Sequence, residues 1–411
     1  MRRRTLWLIL LSCAVPRIAA LALWPADPST LYYQLSSGFL DERRPVIAGE
    51  LTTHIEPFYA LMLASFRFVT GNHVELVLLL QIAGASLGGL LLYRLVLDTT
   101  RDARAAWIAA LLYALSPYLI RQSVAFMEVT PAVVLLLACA VRLRAIATSG
   151  QAVTAGVLLG AVVLTRFSFL PIAAGGIVLA LRRGGPGRGA WTAAACAAVV
   201  VPWMIYSRQV SGAALPGRIG ENLYESTSEW AESIGVPRTN VDVMLPALDA
   251  AARAELARRG DADPTRVEVD RVMGRWALDY ARTHPFRVLR MKMANVFYAL
   301  QPRLLPFTHR RGEAVVVHGR LELPSQSPRP WAFEAAAAGF QCVLLAGTAA
   351  GVRIRRSHLL REDAFLAVVA MSVLMVNVVF FPTSRLLAPM TFVLMFYTAV
   401  AGSALGAPIG R

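Results

Sequence analysis

Apolar stretches of membrane-crossing length recur along most of this chain, and clusters of arginine separate them in alternate gaps. That pattern leaves few folds open. A bilayer core is roughly 30 Å thick, so a helix needs about 20 apolar residues to cross it, and positively charged loops collect on the cytoplasmic side. Hydropathy gives about ten candidate spans, at 6–24, 74–97, 105–120, 129–147, 152–165, 167–181, 190–206, 331–352, 363–380 and 386–405. With a cytoplasmic N-terminus, four arginine groups fall on the cytoplasmic side: Arg94, Arg101 and Arg104; Arg142 and Arg144; Arg182, Arg183 and Arg188; and Arg353, Arg355, Arg356 and Arg361. This scheme requires that 57–70 does not cross. At about 1.5 Å per residue that segment reaches only about 20 Å, so it is expected as an interfacial or re-entrant helix.

The expected class is therefore an all-α polytopic membrane protein. Composition agrees: 56% of the 411 residues are hydrophobic and 16% charged, with a mean hydropathy of +0.53, well beyond a soluble domain of ordinary make-up. Cys13, Cys139, Cys196 and Cys342 lie in apolar stretches without CxxC or CxxH spacing, which predicts buried free thiols rather than disulfides or a zinc site. The net charge of +15 is carried almost wholly by arginine. No basic run interleaves with aromatics on a soluble module, so nucleic acid is not an expected partner, whereas the lipid bilayer is. The opening Met1-Arg2-Arg3-Arg4 with Leu6–Val15 also resembles a signal peptide with Ala20-Leu21-Ala22 as a cleavage site, but the apolar run continues to Trp24 and is read as an uncleaved helix.

The layout expected from this topology has three parts. An N-terminal membrane region, 1–206, carries a first outer loop at 25–56 and the interfacial helix at 57–70. An outer segment, 207–330, follows, and a C-terminal membrane region, 331–411, closes the chain. In the outer segment Asp263-Pro264 is expected to start a helix with Val269, Met273, Trp276 and Tyr280 on one face, and His284-Pro285 to stop it. The next piece, 286–300, mixes Arg287, Arg290 and Lys292 with apolar residues, as a helix on a membrane surface does.

Polar groups at the ends of spans are the candidates for chemistry. Asp27 stands just past the first span and ahead of Tyr32 and Tyr33; Asp27-Pro28 also reads as a helix N-cap. A carboxylate costs several kcal/mol within hydrocarbon but little at its mouth, where it meets both water and a lipid-borne substrate. His54 and Glu56 precede Pro57-Phe58-Tyr59. They could ligate a metal, yet no second ligand pair appears, so none is expected, nor any cofactor. Arg121 and Glu128 bracket the next outer loop, where a solvated pair or simple interfacial anchoring is the plain reading. Arg166 and Arg385 interrupt apolar sequence, where each either snorkels to headgroups or offers a planar fork to a phosphate. Arg17, inside the first span, is expected to be structurally paired.

In order, Asp27, Tyr32-Tyr33, Gly49, Glu56-Pro57-Phe58-Tyr59, Ala114-Leu115-Ser116-Pro117, Met127-Glu128 and Leu164-Thr165-Arg166-Phe167 resemble the membrane glycosyltransferases of the C-type superfamily (GT-C). Pro202-Trp203, Arg208, Gly220–Tyr224, His284-Pro285-Phe286 and Ser384-Arg385 extend the likeness, nearest to the protein mannosyltransferase and lipid A aminoarabinose transferase branch. The resemblance implies transfer of a sugar from a polyprenyl-phosphate carrier to a lipid, glycan or protein acceptor, in the cytoplasmic (inner) membrane with the active site on the outer face. Its catalytic acid matches Asp27, as the base of an inverting single displacement. Glu56 matches an acidic position that orients sugar or a cation, with Tyr32, Tyr33, His54 and Tyr59 around the donor. Arg121, Glu128 and Arg166 would bind along with Arg385, the first choice for stabilising the departing phosphate. Unlike the aminoarabinose branch, this chain has no basic residue beside Glu56-Pro57, and no distinct C-terminal outer domain. A polytopic transporter and a polysaccharide polymerase or ligase are the alternatives; matched halves with broken helices, which a transporter would show, are not evident.

Overall fold

The computed structural model describes residues 3–24, 27–47, 49–215, 218–234, 245–261, 263–305 and 330–406, and the backbone of four short strands between 309 and 327. Parts of the expected outer segment, including 235–244, lie outside the described residues. The chain forms two compact units: 1–203 with 339–372 and 388–411, and 204–338 with 373–387. Residues 331–338 and 373–387, expected in the C-terminal membrane region, thus group with the second unit.

The first unit opens with α1 (Arg3–Leu23) and α2 (Leu31–Asp41), then a ladder of β1 (Val46–Ile47) and β2 (Glu50–Leu51) pairing Val46 with Leu51. α3 (Pro57–Thr70) starts on Pro57, whose fixed φ suits a first helical position, and ends at Gly71 with φ 63°, a left-handed cap that favours glycine. α4 (Val74–Thr100), α5 (Ala103–Leu115), α6 (Pro117–Ser123), α7 (Val129–Arg144), α8 (Ser149–Thr165) and α9 (Leu170–Gly184) follow, and α10 (Pro186–Ser211) runs on into the second unit. Helices α1, α4 and α5 pack closely because small residues sit where they meet: a Cβ on Gly88 would strike the Tyr113 hydroxyl, and one on Gly89 the Cys13 sulfur.

Arg17 is wholly buried in this packing. Its guanidinium donates to the carbonyls of Cys13 (2.7 Å) and Tyr113 (3.2 Å) and lies over the Tyr113 ring. The reason is local. Pro117 has no N–H to offer the Tyr113 carbonyl four residues back, so the helix bends by 57° between α5 and α6, and Arg17 satisfies what the break frees. The expected pairing is thus to carbonyls rather than to an acid. Arg17→Met should lower stability by about 1–3 kcal/mol, read as an earlier thermal unfolding midpoint of the detergent-solubilised protein; an unchanged midpoint would contradict this role.

The arginines placed on the cytoplasmic side have a matching structural use. Arg144 donates to Asp98 O at the end of α4, Arg183 to Leu143 O near the end of α7, and Arg188 to Ile146 O. The first two fill carbonyls that helix C-termini leave open, and the third holds the loop that follows α7.

The second unit contains α11 (Ile219–Ser226), α12 (Glu229–Ile234), α13 (Leu245–Arg258), α14 (Arg266–Thr283) and α15 (Pro285–Ala299). Val269 and Met273 of α14 are buried with Leu248, Ala252 and Leu256 of α13, and with Phe381 and Leu386. That cluster is the partner the apolar face of α14 requires. The helix does not start at Asp263-Pro264: Thr265 is its cap, in a reciprocal box with Glu268, because a hydroxyl there satisfies the N–H three residues on. Two small ladders lie further on, β3 (His309–Arg310) with β6 (Gln326–Ser327) and β4 (Val315–Val317) with β5 (Arg320–Glu322). α16 (Trp331–Arg355) and α17 (Ala364–Val379) each contribute to both units, α18 (Ser384–Leu387) belongs to the second, and α19 (Thr391–Leu405) to the first.

Among the described residues six helices are long and apolar enough to cross a membrane, or seven if the bent pair α5–α6 is one span. The chain is a multi-pass membrane protein. Helix length alone supports fewer spans than the expected ten, since α7, α8 and α17 have 16, 17 and 16 residues. Cys342 is exposed, whereas the other three cysteines are buried as expected; an exposed thiol on an apolar helix can face lipid.

Candidate functional site

Asp27 lies in the turn between α1 and α2. Its carboxylate accepts from the Ser29 backbone N–H (2.9 Å) and the Ser29 hydroxyl (2.6 Å). It is not the cap of α2, as Asp-Pro had suggested: Thr30 holds that position and the helix begins at Leu31, because Asp27 closes its own short turn first. The Ser29 hydrogen bonds, side chain foremost, hold the carboxyl below the usual carboxylate range. It is exposed and ionised at neutral pH.

A second group of expected residues meets around the break after α8. Arg166 caps α8 in extended conformation and donates through Nη1 to Glu128 Oε1 at 3.1 Å; Glu128, at the start of α7, is buried. Glu56, in the capping position of α3, accepts from the Phe167 N–H at 3.2 Å. Two carboxylates from different loops therefore address adjacent residues, Arg166 and Phe167. Glu128 does not pair with Arg121 as the loop reading proposed. Arg121 sits in α6 with its guanidinium 5.7 Å from the Trp24 ring centroid, and α8 brings Arg166 to Glu128 instead.

An aromatic wall lies next to these loops. Tyr32 and Tyr59 meet edge to face at 5.2 Å, and Tyr33 packs on Phe126 at 4.7 Å. Tyr59 is buried and donates to Gln81 Oε1 at 2.6 Å, while Gln81 donates to the carbonyls of Ser123 and Ala125. Gln81 was missed in the sequence, although an amide inside an otherwise apolar stretch was a readable signal. Arg67 was missed too: buried, it lies 4.2 Å from the Tyr33 ring and donates to Ser36, Ser37 and Asn72, fixing α2 on α3. His54 is half-buried in the loop entering α3.

Arg385 belongs to the second unit, in the first turn of α18. The segment before it is tightly held. Thr383 donates its N–H to the Asn377 side chain (3.3 Å), and its hydroxyl accepts from the Leu386 N–H (3.2 Å); Ser384 exchanges two bonds with Leu305. Lys292, the only lysine in the sequence, donates to Val379 O at 2.6 Å, and Asn295 to Val378 O and Phe380 O, each at 3.1 Å. Burial pushes the Lys292 ammonium down to about 8. Among the described residues no cluster of three or more His, Cys, Asp or Glu side chains could hold a metal.

No family model matches the sequence, and no curated protein does. Solved structures do. The archaeal oligosaccharyltransferase AglB from Archaeoglobus fulgidus, in complex with an inhibitory peptide and a dolichol-phosphate, matches with a TM-score of 0.52 and 14% identity over 97% of this chain and 50% of that one. The apo form of the same enzyme matches with a TM-score of 0.51 and 14% identity, over 98% and 51%. ArnT from Cupriavidus metallidurans bound to undecaprenyl phosphate, at 15% identity over 98% and 79%, has a TM-score of 0.42, too low to argue from. The chain spans about half the length of the oligosaccharyltransferase, and at such identity the likeness is one of fold: this protein has the helical membrane fold seen in AglB.

Proposed function

We propose that this protein is a membrane glycosyltransferase that moves a sugar from a polyprenyl-phosphate donor to an acceptor on the outer face of the cytoplasmic membrane. The observation that carries the reading is the fold, shared along almost the whole chain with a transferase solved with a dolichol-phosphate. Asp27 supplies the chemistry. An acceptor hydroxyl attacks the anomeric carbon, its proton passes to the ionised Asp27 carboxylate, and the bond from that carbon to the phosphate oxygen breaks with the electron pair leaving on phosphate. One base suffices for this single inverting displacement, in contrast to the paired carboxylates of hydrolases. Arg385 is assigned to the departing phosphate, where preorganised positive charge counts most. Arg166, held by Glu128, is the second choice for that role. Glu56, with Tyr32, Tyr33, His54 and Tyr59, lines the donor side.

The reading requires that Asp27 and the second unit's helices face outward. In a cysteine-free background, a probe at Ala257→Cys should react with an impermeant thiol reagent from the outside, and one at Gly187→Cys only after permeabilisation; both positions are exposed. The reverse pattern would overturn every site assignment. Donor recognition is tested by titrating the purified protein with undecaprenyl phosphate, which should raise its unfolding midpoint progressively with ligand excess. A midpoint that does not move would remove the lipid phosphate from the account.

A further inference from the structure

Helix α15 carries an apolar stripe that nothing within the described residues covers. Phe286, Leu289, Met293 and Phe297, with Leu300 just beyond the helix, are 48–86% exposed. At about 100° per residue they fall within about 80° of arc. Lys292 and Asn295 leave the helix from other faces, Asn295 almost opposite the stripe. There they bind the carbonyls of Val378, Val379 and Phe380 at the last turn of α17.

That attachment fixes the depth of the helix. α17 is an apolar helix of 16 residues, about 24 Å long, with Met371 and Met375 more than half exposed, as lipid-facing residues are. Its last turn must therefore lie close to where hydrocarbon gives way to water, and α15, hydrogen-bonded across that turn, lies at the same level. Arg287 and Arg290 lie along one side of the stripe, are more than half exposed, and are 3.4 and 3.2 Å from Glu232. Their guanidinium groups can also reach lipid phosphates.

We infer that α15 is seated on the membrane surface, its Phe286–Leu300 stripe inserted among the lipid chains at the interface. The occupant of this face is lipid, not a second protein, because the tie to α17 puts the stripe at the bilayer boundary. A helix with a broad apolar face, a basic flank and a polar opposite side gains most by lying in that plane. The inference stands on the membrane assignment alone and does not depend on sugar transfer.

The test uses nitroxide labels at Leu289→Cys, Met293→Cys and Phe297→Cys, one at a time, in the cysteine-free full-length protein reconstituted into liposomes. A label at Asp279→Cys, exposed on α14, is the aqueous control. The three stripe labels should collide at least several-fold more with oxygen than with a water-soluble nickel chelate, and the control should show the opposite ratio. Chelate-dominated collisions along the stripe would mean that it faces water, and protection from both reagents would mean that protein covers it; either overturns the inference. Three positions on an already exposed face guard against one variant failing to fold.

Discussion

Replacing Asp27 by asparagine is expected to lower the rate of sugar transfer by about 10²–10⁴-fold, the usual loss when a positioned base is removed. The fold should survive. The asparagine side chain keeps an acceptor oxygen for the Ser29 N–H, which is what the native carboxylate uses to close its turn, but an amide cannot take the proton of an attacking hydroxyl. Because the Ser29 hydrogen bonds lower the native carboxyl's affinity for protons, Asp27 stays ionised as the pH falls and is protonated only below the ordinary carboxylate range. No acid limb in the activity profile near neutral pH should therefore trace to this residue. Full activity in a well-folded asparagine variant would leave Asp27 as a turn residue only.

Arg385 should behave as a bidentate phosphate donor and not as a bare charge. Arg385→Ala is expected to cut turnover by about 10²–10³-fold, the cost of losing a preorganised donor to developing negative charge. Arg385→Lys keeps the charge but loses the planar fork, so an intermediate loss of about tenfold or more is expected, with weaker binding of undecaprenyl phosphate in both variants. The surrounding turn should persist in both, since bonds from Thr383, Ser384, Lys292 and Asn295 hold it. Snorkelling to headgroups would be served equally well by lysine. That result would move the phosphate role to Arg166, despite its bond to Glu128.

The sequence made the helices legible because apolar length and arginine placement are local signals. It also placed Asp27, Tyr32, Tyr33 and Glu56 in the stretch that follows the first apolar segment. What it could not give was partner choice. Arg121 and Glu128 are close in sequence and invited pairing, yet α6 turns Arg121 toward Trp24 and α8 delivers Arg166 from beyond the next helix. Arg17 shows the same limit, since one of its partners, the Tyr113 carbonyl, is freed by a proline far along the chain. Asp27 failed as a predicted cap for a different reason: Ser29 competes for the carboxylate over two residues, and the helix then starts later. Lys292 and Asn295 carried no motif at all, because their role is to satisfy the end of a helix that is distant in sequence.

Turnover of a lipid-linked sugar is the activity proposed for this protein. The purified protein, reconstituted in liposomes with a radiolabelled sugar on polyprenyl phosphate and a hydroxyl acceptor, should release polyprenyl phosphate and yield a glycoside of inverted anomeric configuration, and the Asp27→Asn protein should do neither. A set of such donors left intact by folded, correctly oriented wild-type protein, or consumed as fast by the Asp27→Asn variant, would contradict it.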